Sequence, residues 1–158
     1  GRRPEPFMRL TLHTDYALRL LMLLTIEPDE LHTIEEIARR YDISRNHLMK
    51  VTQTLAQAGF IDSLRGRGGG LRLARPAAAI RLGAVVRATE DGFDLVECFD
   101  RERNRCVVAP ACGLRGPLEE ALLAFLTTLD QYTLTDLVAR PGMLKRMRHL
   151  LADTAAPL

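Results

Sequence analysis

Residues 43–74 read ISRNHLMKVTQTLAQAGFIDSLRGRGGGLRLA, and this stretch decides the fold. Ser44 is a good N-cap residue, and apolar residues recur after it on one helical face. We therefore predict a helix from residue 45 to about residue 58. Gly59 follows directly, and glycine is common just past the end of a helix.

A β-hairpin is predicted next, because two short β-prone runs at 60–64 and 71–74 flank the glycine-rich segment 65–70. Upstream, two further patterns predict helices at 11–26 and 33–40. Three helices followed by a hairpin with a basic loop is the order of a winged helix-turn-helix.

The remainder of the chain is also predicted to be mainly helical. A short helix is expected at 80–89, an irregular segment at 91–113, a long amphipathic helix at 115–129 and a shorter helix after Pro141. With no Trp and 5% aromatic residues, the core must be built mainly from aliphatic side chains, which suits packed helices. The predicted fold class is mainly α, with a small β-hairpin wing and a long dimerisation helix.

The chain of 158 residues has the size of one domain or of a small module with a companion. It contains no run of about 20 apolar residues, so no membrane span is expected. Its opening residues lack the apolar core of a secretory signal, and we expect a cytoplasmic protein. The predicted parts are an extension or expression remnant at 1–7, a winged helix-turn-helix at 8–90, an iron–sulfur cluster-binding loop at 91–113, dimerisation and C-terminal helices at 114–152, and a tail at 153–158.

Charge favours DNA as the partner. The whole chain has a net charge of only +2, but residues 43–75 hold six basic residues and one acid. Such a module binds phosphates by releasing counterions, so we predict binding to double-stranded promoter DNA. As alternatives to DNA contact, Ser44 could serve only as a helix cap and Gln53 could simply be solvated. The predicted DNA-binding residues are Ser44, Arg45, Asn46, His47, Lys50 and Gln53 in the third helix, and Arg65, Arg67, Gly68 and Gly69 in the wing.

No enzymatic site is predicted. The glycine-rich loop lacks the Lys-Ser or Lys-Thr pair of a phosphate-binding P-loop. The sequence also offers no nucleophile–base or paired-carboxylate motif.

Three cysteines lie close together as Cys98-x7-Cys106-x5-Cys112. Their spacing differs from that of short zinc knuckles, whereas three thiolates suit an iron–sulfur cluster, which normally takes four protein ligands. Three unrelated thiols, a thiol switch and a structural zinc site remain alternatives. All four histidines lie outside this loop, so a fourth ligand has to come from elsewhere, from a partner subunit or from solvent.

Taken together, these motifs resemble the Rrf2 family of winged-helix transcription regulators. The resemblance is carried by MRLTLHTDYALR at 8–19, ISRNHLMKV at 43–51, RGRGGGL at 65–71 and the three cysteines. It extends over residues 8–152. Within the family, the first two stretches are most similar to its nitric-oxide-sensing repressors.

The resemblance implies a homodimer in which Cys98, Cys106 and Cys112 bind an iron–sulfur cluster. The fourth ligand would be Asp15 of the other subunit; the alternative role for Asp15 is that of a first-turn acid favourable to the helix dipole. We expect a four-iron (4Fe-4S) rather than a two-iron (2Fe-2S) cluster. The branch that regulates iron–sulfur biogenesis has a His three residues after the last cysteine, and Arg115 at that place argues against that branch.

The predicted function is therefore that of a dimeric DNA-binding repressor that senses nitric oxide through an iron–sulfur cluster. The alternative is an Rrf2-type redox or iron–sulfur-status regulator that uses a different cluster or thiols only. The long helix at 115–129 would pack against its mate in the dimer, although its apolar stripe equally suits a helix in the core of one chain.

Overall fold

The structure is a computed structural model that describes residues 8–152. The extension predicted at 1–7 and the tail predicted at 153–158 lie outside the described residues. Six α-helices and a two-stranded sheet form the described part. Within it, no helix is both long enough and apolar enough to cross a membrane. The helices are α1 (Leu12–Ile26), α2 (Ile34–Tyr41), α3 (Arg45–Gln57), α4 (Leu82–Thr89), α5 (Arg115–Leu129) and α6 (Met143–Leu150).

Hydroxyl side chains cap the first three helices at their N-termini. Thr11 accepts a hydrogen bond from the backbone N–H of Thr14, and Thr33 does so from Glu36. The Ser44 side chain accepts the N–H of His47 at 3.2 Å, which confirms the predicted start of α3. Each bond satisfies an amide that the helix itself cannot pair.

The predicted wing is a two-stranded antiparallel hairpin of β1 (Ile61–Leu64) and β2 (Gly70–Leu73). The segment between α1 and α2 joins its edge, because the backbone N–H and C=O groups of His32 pair with those of Leu71 at 3.2 and 2.7 Å. The wing is thereby fixed to the helical part by main-chain hydrogen bonds.

The core lies around α1, whose dense leucines face α3 on one side and α4 on the other. Aliphatic side chains build it, as the composition predicts. Helix α5 contributes little to this core, since Leu126 is its one buried residue. The core side chains that are fully or almost fully buried include Leu20, Leu21, Leu23, Leu24, Ile37, Leu48, Val51, Leu55, Ile80 and Val85.

Between α4 and α5 the chain is irregular apart from two short 3-10 turns at Glu97–Phe99 and Ala109–Ala111. We call residues 91–113 the cysteine loop. The fold class predicted from the sequence, mainly helical with a small hairpin wing, is confirmed.

Candidate DNA interface and cysteine loop

Helix α3 presents most of the predicted DNA-binding residues on its exposed side. Ser44, Arg45 and Asn46 at its start are exposed, and so are Lys50 and Gln53 further along. His47, by contrast, is only partly exposed. The start of α3 therefore combines accessible side chains with a helix N-terminus, an arrangement that favours negatively charged ligands.

The basic residues of this module differ in how firmly they are held. Nε of Arg45 lies 2.8 Å from a carboxylate oxygen of Glu35, and Nε of Arg72 lies 3.7 Å from one of Asp62. Within residues 8–152, Lys50, Arg65 and Arg67 have no ion-pair partner. These three cations are therefore free to meet phosphates.

Glu35 places a negative charge beside the start of α3. The pKa of its carboxyl lies below the usual value, first because of a hydrogen bond with its own backbone and then because of Arg45. The carboxylate thus stays ionised and neutralises one of the predicted DNA-binding cations.

The wing tip depends on glycine at two positions. Gly68 has a φ of +72°, a region that other residues rarely adopt. A Cβ on Gly69 would collide with the backbone oxygen of Leu64. These glycines let the chain turn tightly enough to present the exposed Arg67.

A small cluster of rings, which was not predicted from the sequence, joins α1 to the start of α3. Nε2 of His13 lies 3.0 Å from Oγ1 of Thr54. The His47 ring packs edge-on against Tyr16, with centroids 4.8 Å apart, and lies nearly parallel to the His13 ring at 6.0 Å. The MRLTLHTDYALR stretch could have pointed to this contact only once α1 and α3 were known to pack together.

All three cysteines of the loop are free thiols and partly buried. The backbone N–H of Leu114 donates to Sγ of Cys112 at 3.4 Å, and that of Cys106 donates to the side-chain oxygen of Asn104. Hydrogen bonds to sulfur are a feature that tunes thiolate-bound clusters.

Arg115 connects the cysteine loop to α5. Its guanidinium donates to the carbonyl of Cys98 at 3.2 Å, pairs with Glu119 at 2.7 Å and lies 5.7 Å from the centre of the Phe99 ring. The Glu119 carboxylate raises the pKa of Arg115, and Cys98 adds to the effect. A fixed positive charge therefore lies beside the first cysteine.

The three cysteine thiols are soft donors of the kind that iron–sulfur clusters take. Within residues 8–152, the one group of three or more possible ligand atoms that all lie within 4.8 Å of one another belongs to Glu27, Glu30 and His32. The three sulfurs therefore do not form a compact group of this kind in the single chain.

The Glu27 group belongs to a buried ionic network. Arg40, whose side chain is 4% exposed, pairs with Glu27 at 2.8 Å and Glu36 at 3.0 Å and donates to the carbonyl of Leu151. His32 is fully buried and lies 3.1 Å from Glu36. Arg40 lowers the pKa of the Glu27 carboxyl, although burial opposes the effect. With Arg40 already on Glu27, we assign this network to structure.

Asp15 lies in the first turn of α1, where its carboxylate faces Arg19 of the same helix at 2.8 Å. Both side chains are about 40% exposed. The structure thus gives the predicted fourth ligand an intrahelical partner, and within the single chain it does not bring Asp15 into a compact ligand group with the cysteines.

A three-helix unit with an antiparallel wing, a basic recognition face and an appended cysteine loop defines a winged helix-turn-helix regulator. The Rrf2 family, described as an iron-dependent transcriptional regulator, matches residues 10–140. The chain belongs to the Rrf2 family, and it is a transcription regulator rather than an enzyme, as predicted.

Several named relatives are similar over most of their length. The HTH-type transcriptional regulator NsrR of Bacillus subtilis is 55% identical over 132 residues, which is 83% of this chain and 90% of the relative. NsrR of Halalkalibacterium halodurans is 48% identical over 90% of this chain and 99% of its own. Protein aau3 of Rhizobium meliloti is 47% identical over 85% and 88%.

Solved structures show the same fold. IscR of T. potens superimposes with a TM-score of 0.67 at 22% identity, covering 84% of this chain and 87% of its own. CymR, the global cysteine regulator of B. subtilis, gives 0.64 at 24% identity, covering 84% and 98%. At these identities the likeness is one of fold alone.

Proposed function

We propose that the chain is a repressor that binds double-stranded promoter DNA through α3 and the wing. Ser44, Arg45, Asn46, His47, Lys50 and Gln53 would contact bases and phosphates in a major groove. Arg65 and Arg67 would bind the DNA phosphates beside that groove, where Gly68 and Gly69 allow the wing to approach the DNA closely. The exposed, unpaired cations on both elements support this assignment.

We infer that the working unit is a homodimer built on α5. The apolar residues Leu118, Leu122, Phe125 and Leu129 lie on one face of α5, because they are three or four residues apart. In the single chain Phe125 is 43% exposed and the three leucines are only partly buried. An apolar helix face left uncovered in this way is typical of a protein interface, and a second copy would cover it.

Cys98, Cys106 and Cys112 would hold an iron–sulfur cluster, with four irons in preference to two. The observation that carries this proposal is three free, partly buried thiols in one loop of an Rrf2-family chain. Similarity to NsrR over most of the chain supports it. Such a cluster supplies iron that reacts with nitric oxide, and nitric oxide is the proposed signal. Arg115 would offset part of the negative charge that three thiolates bring to the loop.

Asp15 of the partner subunit is proposed as the fourth ligand. A carboxylate is a harder donor than a thiolate and holds cluster iron less firmly. Arg19 is the natural competitor, because it already binds the Asp15 carboxylate in the single chain. Asp15 can therefore change partners, and the first helix of one subunit would be linked to the loop of the other only while the carboxylate is bound there.

The test is the visible absorption spectrum of anaerobically purified protein, with iron and acid-labile sulfide measured on the same sample before and after nitric oxide. We expect a brown chromophore with sulfide that nitric oxide bleaches. A protein that stays colourless and free of sulfide after anaerobic reconstitution would contradict the cluster. The family's redox alternative, sensing by thiols alone, would then apply to the cysteines.

A further inference from the structure

The first turn of α1 lies between the two parts that the proposed function has to connect. On one side it contacts α3, the recognition helix, through His13 and Thr54. On the other side the backbone N–H of Thr11 donates to the carboxylate of Glu90 at 2.8 Å. Glu90 directly precedes the cysteine loop.

The contact with α3 is one side-chain hydrogen bond. Oγ1 of Thr54 lies 3.0 Å from Nε2 of His13, and 3.2 Å from the carbonyl of Lys50, one turn back. Both a hydroxyl and an imidazole can donate or accept, so the bond can form in either direction. It ties the position of His13 to that of α3.

Ring contacts strengthen the same junction. His47, in the first turn of α3, packs against Tyr16 and alongside His13. His47, one of the proposed DNA-binding residues, is thereby held from two successive turns of α1. A rotation or shift of the start of α1 would move His47 with it.

A second contact on the loop side is buried. Oγ1 of Thr89, the last residue of α4, lies 2.8 Å from Oγ1 of Thr14, and both residues are buried. The end of α4 and the start of α1 are thus in direct contact. A displacement at the start of the cysteine loop is therefore passed to the first turn of α1.

We propose that His13 is a positioning residue that couples the cysteine loop to the recognition helix. Through its contacts with Thr54 and His47, His13 sets the orientation of α3. It lies in the same helical turn as Asp15, and the residue that caps this turn contacts Glu90, so a movement of either would shift His13. This proposal rests on the proposed function and specifies its path within one subunit. It predicts that the His13–Thr54 hydrogen bond governs how strongly DNA affinity depends on the state of the loop.

The test is a double-mutant cycle on that hydrogen bond. His13→Phe keeps a ring beside His47 but removes Nε2, and Thr54→Val removes the hydroxyl that pairs with it. Thr52→Val is the matched control, because Thr52 lies on the same helix and also donates to a carbonyl one turn back, at 2.7 Å. The probe is a duplex that the unmodified protein selects from a random-sequence library, called here the selected duplex.

The measured quantity is the ratio of the dissociation constants of cluster-free and cluster-loaded protein for the selected duplex. Hydrogen exchange of the α3 amides in cluster-free protein gives a second readout. We expect His13→Phe and Thr54→Val each to reduce the ratio about 5-fold or more, and the double variant to reduce it no further. Thr52→Val should keep it. Both single variants should raise exchange at the start of α3.

A ratio that His13→Phe leaves unchanged, or two effects that add fully in the double variant, would overturn the coupling role. Failure of the proposed function is recognised separately, on the unmodified protein. If that protein binds the selected duplex equally well with and without its cluster, the proposed function fails and the coupling fails with it.

Discussion

Asp15 and Arg19 form a two-pronged ion pair on the exposed side of α1, with N···O distances of 2.9 and 2.8 Å. The two residues are one helical turn apart and both are partly exposed, so the pair contributes under about 1 kcal/mol to the free energy of unfolding. A pair this weak would let the Asp15 carboxylate change partners, as the proposed cluster ligation requires.

Asp15→Ala therefore tests whether binding of the cluster and its reaction with nitric oxide depend on different residues. The three cysteines remain, so we expect the variant to assemble a cluster with unchanged iron and sulfide content. Loss of the oxygen donor should alter the rate at which nitric oxide bleaches the chromophore, measured by stopped-flow absorption. Asp29→Ala, which removes an exposed acid just beyond α1, is the control. Identical bleaching and DNA release in Asp15→Ala and the control would exclude Asp15 as a ligand.

Glu35→Gln should strengthen DNA binding. The substitution removes the carboxylate that pairs with Arg45 and frees that guanidinium for phosphate. We expect a severalfold lower dissociation constant for the selected duplex at low salt, and a steeper dependence of affinity on salt concentration. Glu120→Gln, on the exposed side of α5, serves as the comparison. An equal gain in both variants would mean that only net charge matters.

Arg67→Ala tests the wing. If Arg67 meets a phosphate, its loss weakens binding to all sequences alike and lowers the slope of log affinity against log salt by about one. Fluorescence anisotropy at several salt concentrations measures that slope. Lys145→Ala removes one exposed charge from α6 and should leave the slope intact. An unchanged slope in Arg67→Ala would remove the wing tip from the interface.

Arg40→Leu tests the buried network. Removing Arg40 leaves Glu27 and Glu36 without their shared cation, and breaking a buried pair costs about 3 kcal/mol. Urea denaturation near neutral pH measures the loss. Arg72→Leu, which breaks an exposed pair in the wing, should change stability much less. Equal losses would show that Arg40 contributes nothing beyond an ordinary surface pair.

The same network predicts a pH dependence. Because Arg40 lowers the pKa of Glu27 in the folded protein, the stabilisation is complete above the ordinary pKa of a Glu and is lost as the pH falls through and below it. The unmodified protein should therefore lose more stability than Arg40→Leu between neutral pH and about pH 3. Parallel pH profiles of the two proteins would contradict this.

The helices and the wing could be predicted because local signals agree there. Ser44 at the start of α3, Gly59 after it and the glycine-rich turn each act through the neighbouring backbone, and the structure uses them in that way. The buried Arg40 network and the His13–Thr54 contact could not be predicted. Both include contacts between residues that are distant along the chain. Residue types alone do not indicate which cation or imidazole becomes buried when the helices pack.

The candidate site divides in the same way. Residue types and spacing suffice to single out Cys98, Cys106 and Cys112 as candidate ligands. They do not reveal that Arg115 binds the carbonyl of Cys98 or that Arg19 holds Asp15. A ligand that a second subunit would supply cannot be identified from the contacts within one chain, because it reaches the loop only in the dimer.

The central claim is that the cysteine loop controls DNA binding in response to nitric oxide. The most direct measurement is the affinity of anaerobically reconstituted protein for the selected duplex, before and after stoichiometric nitric oxide, beside Cys106→Ser. We predict that nitric oxide weakens binding by about 5-fold or more and that Cys106→Ser, treated or untreated, no longer responds. Equal affinity of the reconstituted protein before and after nitric oxide would contradict the account.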